Sequence, residues 1–185
     1  MTAIHTIVLV CFVHTSLFTK DSVVRRLPTG CFRWALFMRW HFMVCTFFGH
    51  KDTPKEIEPT LRSTLIDLIE NKNATVFYVG NNGNFDAMVH RQLEDLSQTY
   101  PITYSVVLAY LPTEKNKYDN LTNTIYPEGL ETVPKRFAIS WRNKWMIQQS
   151  DVVVTYVTHN FGGAAQFKEQ AEKQSKIIIE LDFQR

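Results

Sequence analysis

Residues 151–173 read DVVVTYVTHNFGGAAQFKEQAEK. The first part, 151–157, is apolar at successive positions rather than alternate ones, which marks a strand buried on both faces of a sheet. Adjacent glycines, Gly162 and Gly163, then give the backbone freedom for a tight turn. From there 163–175 reads as a helix, and KIIIEL, 176–181, is again a continuous apolar run. Strand, glycine turn, helix and strand in this order predict two parallel strands joined by a crossover helix.

The same alternation extends back to Met43. VCTFF (44–48) is a short apolar strand ended by Gly49. Ile57, Leu61, Leu65, Leu68 and Ile69 then recur at helical spacing and predict an amphipathic helix. TPKE (53–56) resembles a capping box with Pro54 at the first helical position. Pro59 removes an interior hydrogen bond and moves the effective start toward residue 57. TVFYV (75–79) predicts a second strand, and Phe85, Met88, Val89, Leu93 and Leu96 mark the apolar face of a second helix. ITYSVVLAYL (102–111) predicts a third strand. The polar stretch 112–133 shows no periodicity, and loops of this length often cover a site. Pro134 opens a third helix with Phe137, Trp141 and Trp145 spaced by four as its expected face. The expectation is an α/β fold, a Rossmann-like three-layer sandwich with a five-stranded, mainly parallel sheet over residues 43–185.

The chain of 185 residues fits one domain with a full core, or one domain plus an appendage. With 45% hydrophobic and 21% charged residues it is not of the disordered class. Residues 1–42 differ from the rest. They hold Lys20, Arg25, Arg26, Arg33 and Arg39 against Asp21 alone, which leaves 43–185 slightly acidic within the overall charge of +2. An acidic domain has no general pull toward a polyanionic backbone, so nucleic acid is disfavoured as a partner. The apolar run AIHTIVLVCFVHTSLF (3–18) is shorter than a membrane span and interrupted by His5 and His14. CFRWALFMRWHF (31–42) is aromatic and basic, and in a native segment it could lie on a membrane surface. The blander alternative is an atypical leader, with the native start at Met43 or Met38. Cys11, Cys31 and Cys45 form no CxxC pair and no disulfide framework, which suits a reducing cytoplasm. Cys45 reads as a small buried hydrophobe.

In open parallel sheets, ligands bind beyond the carboxyl ends of the strands, where the strand order reverses. GHKD (49–52), GNNGN (80–84), the 112–133 stretch and THNFGG (158–163) all reach that edge. Gly162 and Gly163 are the best candidate anion cradle, since a helix N-terminus exposes N–H groups and glycine lets a phosphate approach. Their other reading is a bend alone. Asp86, in the first turn of its helix, would repel a phosphate. The division this suggests gives the anion to the glycine pair, and neutral hydroxyls such as a ribose to Asn81, Asn84 or Asp86. A helix-capping carboxylate is the alternative for Asp86. Gly49, Gly80 and Gly83 belong to the same candidate loops. His50 and His159 each follow a strand at this edge, either meeting across the site as ligand contacts or proton carriers or standing as two solvated loop histidines. Neither HxxxH nor a cysteine pair at ligand spacing is present, so no metal or cofactor is expected. Nothing matches GxSxG or a P-loop.

The order strand–GHK, strand–GNNGNFD, helix–RNKWMIQQSD, strand–GGAAQFKE resembles the SLOG superfamily of Rossmann-like nucleotide-binding proteins, and within it small bacterial proteins of the YpsA-like branch. The resemblance runs from Met43 to about Leu181. The superfamily includes the LONELY GUY phosphoribohydrolases, which carry PGGxGTxxE and cleave the N-glycosidic bond of nucleoside monophosphates. FGGAAQFKE matches that pattern at Gly162, Gly163 and Glu169, with Phe161, Ala165 and Gln166 in place of the proline, glycine and threonine. The resemblance implies a small-molecule nucleotide ligand, with Arg142 as a phosphate or substrate contact and Glu169 as the carboxylate near the ribose. It leaves two functions open, binding or sensing of a nucleotide derivative and N-glycosidic hydrolysis. A cytoplasmic protein, able to form a homo-oligomer, accords with either.

Overall fold

The computed structural model describes residues 43–111, 123–159 and 161–182. The 1–42 segment and half of the expected cover, 112–122, lie outside the described residues. The elements in chain order are β1 (Met43–Gly49), a 3-10 turn (Lys55–Ile57), α1 (Glu58–Lys72), β2 (Ala74–Val79), α2 (Asn84–Leu96), β3 (Thr103–Val107) and β4 (Thr124–Ile125). A second 3-10 turn (Leu130–Thr132), α3 (Lys135–Gln149), β5 (Val152–Tyr156), α4 (Gly163–Lys173) and β6 (Ile177–Glu180) follow. The sheet order is β4-β3-β2-β1-β5-β6, and every pairing is parallel. The protein is thus α/β, with a parallel sheet flanked by helices. Its sheet has six strands rather than the expected five. The additional strand, β4, is only two residues long, too short to leave a periodic signal in a polar stretch.

Alternation along the strands sorts the core into two layers. Cys45, Phe47, Phe77, Val79, Val152 and Val154 point to the face covered by Leu61, Leu65 and Leu68 of α1 and Phe85, Val89 and Leu93 of α2. Phe48, Val107 and Val153 point to the other, against Met146 and Ile147 of α3 and Phe167 and Ala171 of α4. The continuous burial of β5 is what its unbroken apolar run demands. Cys45 is a free, buried thiol, and burial together with the charge of Asp151 pushes its pKa up to about 12.

Two local expectations need correction. No side chain caps the start of α1. Thr53 instead turns its hydroxyl back to the His50 carbonyl at 2.6 Å, and Pro59 stands at the first positions of α1. On α3 the buried stripe is Ala138, Arg142, Asn143, Met146 and Ile147, not the aromatic one. Phe137 is 50% exposed beneath the Arg136 guanidinium, while Trp145 reaches the core only from its margin, tilted against Tyr78. Aromatic rings at the rim of a layer cover apolar surface while keeping an edge in water, which hides the true periodicity.

Candidate functional site

The strand order reverses at β1, since β2 lies on one side of it and β5 on the other. The site begins where β1 ends. Gly49 has no side chain because Phe85 of α2 packs directly over it. The chain then turns tightly, with the Thr53 N–H and hydroxyl both donating to the His50 carbonyl. This turn directs the His50 ring inward, 9% exposed, where its Nε2 accepts the Thr158 backbone N–H at 3.1 Å. An accepting Nε2 leaves the proton of the neutral ring on Nδ1. Desolvation first, and then the neighbouring His159, hold the His50 pKa below the usual histidine value, with Asp52 opposing. The two imidazoles stack at 3.8 Å between centroids, and His159 continues to Phe161 at 4.1 Å. The two rings therefore stack, with His50 buried and His159 half-buried.

Helices α2 and α4 start alike. Each has a glycine N-cap with positive φ, Gly83 at 109° and Gly162 at 91°, and neither is capped by a side chain. At Gly83 the constraint is doubled, because a Cβ would come within 2.8 Å of the Lys51 Cα and the Asn84 N–H donates to the Lys51 carbonyl. Gly162 faces open space, so only its backbone angle requires glycine. A Cβ on Gly163 would meet nothing nearer than Phe167, at 4.0 Å, which leaves room beside the first turn of α4.

Asp86 and Arg142 form the buried polar centre. Asp86, 8% exposed, reaches back to accept the Asn82 N–H at 2.9 Å. Burial pushes its pKa up to about 6, against the opposing pull of that N–H and of Arg142. Arg142, 2% exposed, donates from Nη1 to the Asn81 side chain at 3.0 Å and to the Val107 carbonyl at 3.1 Å, and from Nε to Asn143. It thereby ties α3 to the ends of β2 and β3. Gly80 makes this possible, since a Cβ there would strike the Asp86 carboxylate and approach Arg142 Nη1 to 3.0 Å.

A cavity of about 360 Å³ opens over the end of β1. His50, Asp86 and Arg142 line it together with Gly49, Gly80 and Gly163, so half of the twelve expected residues converge there. Asn81 and Gly83 face a neighbouring cavity of about 380 Å³ that shares Gly80 and Asp86 with the first. The structure leaves the remaining residues outside both. Asn84 is exposed at the start of α2, and His159 stands behind His50. Gly162 precedes the cavity wall without lining it. Glu169 is exposed on α4 and paired with Lys173 at 2.7 Å, which holds its carboxyl below the usual range. Arg142 and Glu169 are not brought together: only Arg142 lines the cavity. The reading of the sequence missed Lys51, Asn82 and Asn143, which the cavity also contacts. Lys51 and Asn82 sat inside loops already singled out, and a polar residue on the buried stripe of α3 was the available signal for Asn143. Among the described residues, no group of three or more His, Cys, Asp or Glu is placed to hold a metal ion, and no helix is long and apolar enough to cross a membrane.

In comparisons with known proteins, no family model and no curated protein matches the chain.

Proposed function

We propose that this is a Rossmann-like domain of the SLOG type that binds or senses a nucleotide or nucleotide-derived ligand in the cavity over the end of β1. The observation that carries the reading is the convergence, at the reversal of strand order, of Lys51, buried Arg142 and the uncapped start of α4 at Gly163. Cationic side chains and helix-terminal N–H groups facing one concave space suit an anionic group such as a phosphate. Asp86 on the same wall repels a second anion and accepts from hydroxyls, which favours a ligand that is charged at one end and neutral beyond it. Binding is preferred over N-glycosidic hydrolysis because the carboxylate assigned to the ribose, Glu169, faces solvent beside Lys173.

The test is a nucleotide thermal-shift panel on the full chain with parallel detection of released base. Binding without base release is expected, lost in Gly163→Asp, where a carboxylate would meet the anion, and retained in Glu169→Gln. Base release that disappears in Glu169→Gln would establish hydrolysis instead. If no nucleotide shifts the melting temperature, the binding reading fails.

A further inference from the structure

The neighbouring cavity lies on the α1/α2 side of the sheet, between α2 and the β3–β4 margin. Its walls differ in kind from those of the cavity over β1. Ala87 and His90 of α2 face Tyr104 and Val106 of β3, and the His90 ring meets Tyr104 edge-on at 5.5 Å. The charged residues lining it are Asp86 and Glu94, and among the described residues no lysine or arginine does. The cavity over β1 has Lys51 and Arg142 as well as its carboxylates. Charge character therefore changes across the wall that the two spaces share, Gly80 and Asp86. That wall is thin because residue 80 has no side chain, and Asp86 presents its carboxylate at the boundary.

An anion placed in the neighbouring cavity would face two carboxylates, Asp86 and Glu94, with no lysine or arginine among the described residues that line it. A flat, uncharged ring meets aromatic and aliphatic surface there, with Asn81 and Thr124 as polar neighbours. We infer that this cavity is the subsite for the uncharged, ring-bearing half of the ligand, so that the two spaces together take a phosphorylated sugar carrying a heterocycle and discriminate against the sugar phosphate alone. The inference rests on the nucleotide reading above and adds where the ring goes. In this arrangement the phosphate lies toward Gly163 and Arg142, the sugar hydroxyls cross Asp86, and the ring enters between α2 and β3.

The experiment measures the affinity of the full chain for ribose 5-phosphate and for adenosine 5′-monophosphate by calorimetry. Ala87 is exposed on α2 and faces the ring subsite, so Ala87→Leu narrows that cavity while keeping a good helix former. Ala87→Gln is run beside it as a second bulky side chain, and the melting temperature of each variant checks the fold. The nucleotide is expected to bind the unaltered chain about tenfold or more tightly than the sugar phosphate, the scale of one base–aromatic stack. Both variants should remove that gain and leave ribose 5-phosphate affinity within about twofold, a change of under half a kilocalorie. Equal affinity for the two ligands overturns the ring subsite while leaving the anion site standing. So does a nucleotide affinity unchanged in both variants. If neither ligand binds the unaltered chain, the nucleotide reading itself falls, and the ring subsite with it.

Discussion

Asp86→Asn should stabilise the protein at neutral pH, and the magnitude follows from the burial of the carboxyl. Its ordinary pKa is 3.8, and in the folded protein it stands at about 6. A raised pKa in a carboxyl means that the folded state holds its proton more tightly than the unfolded one. Stability from this group is therefore full in acid and is lost as the pH rises from 3.8 to about 6. A difference of about two units, at 1.36 kcal/mol each, makes the ionised carboxylate a cost of about 3 kcal/mol at pH 7. Asparagine can still accept the Asn82 N–H and fills the same space, so the comparison isolates the charge. Urea unfolding of both proteins between about pH 4 and pH 7 measures it. The two should be nearly equal at the acid end, with the unaltered protein falling behind by about 3 kcal/mol at the neutral end. Other titrating groups cancel in the difference, including Glu58, whose pKa is lowered by Gln92 and then by Arg91. Parallel stabilities across the window, or a gap that opens toward acid instead, would refute the reasoning. A carboxylate retained at such a cost has a reason to be there other than stability.

Other perturbations test neighbouring links. Gly80→Ala puts a methyl group against the Asp86 carboxylate and within 3.0 Å of Arg142 Nη1, and should cost about 1–3 kcal/mol in urea unfolding; an unchanged midpoint would contradict that packing. His50 has a lowered pKa, so it resists protonation in the folded state, and its share of stability is lost as the pH falls below the ordinary histidine value of 6.5. Hydrogen exchange at the Thr158 amide should report this, with protection declining in acid and doing so less steeply in His50→Gln, which keeps an acceptor. Leu65→Ala, fully buried under β2, should cost about 2–5 kcal/mol, and Phe137→Ala, half exposed, less than about 0.5 kcal/mol. Similar losses at the two positions would reinstate the aromatic stripe as the buried face of α3.

The sequence carried most of the fold because the dominant signals are local. β5 announces its double burial by being apolar throughout, and α2 by five residues at helical spacing, all of which are buried. What escaped was β4, which consists of two residues stabilised by pairing with Val106 and Val107 rather than by a pattern of its own. The buried face of α3 also escaped, because its centre is Arg142, a residue that burial ordinarily excludes and that hydrogen bonds to three separate groups make tolerable. At the site, the glycine loops were legible as backbone requirements. Their partners were not, since the contact of Gly80 with Asp86 depends on how the β2–α2 turn folds back on itself and that of Gly83 with Lys51 on how loops from different strands cross. Glu169 illustrates the reverse case: a motif position fixes the residue along α4 but not the direction its side chain takes.

The hydrogen bond from the Thr158 amide to His50 spans 108 residues of chain, and the one from the Val44 amide to the Asp151 carboxylate spans 107. Contacts of such separation close very long loops and are reached late, after the local strand–helix–strand units have formed. The cavity over β1 draws walls from both ends of that separation, so it cannot exist in a partly assembled chain. During refolding, the ability to hold a ligand should therefore appear with the docking of β5 against β1, later than helix content, and binding becomes a clock for the completion of the sheet.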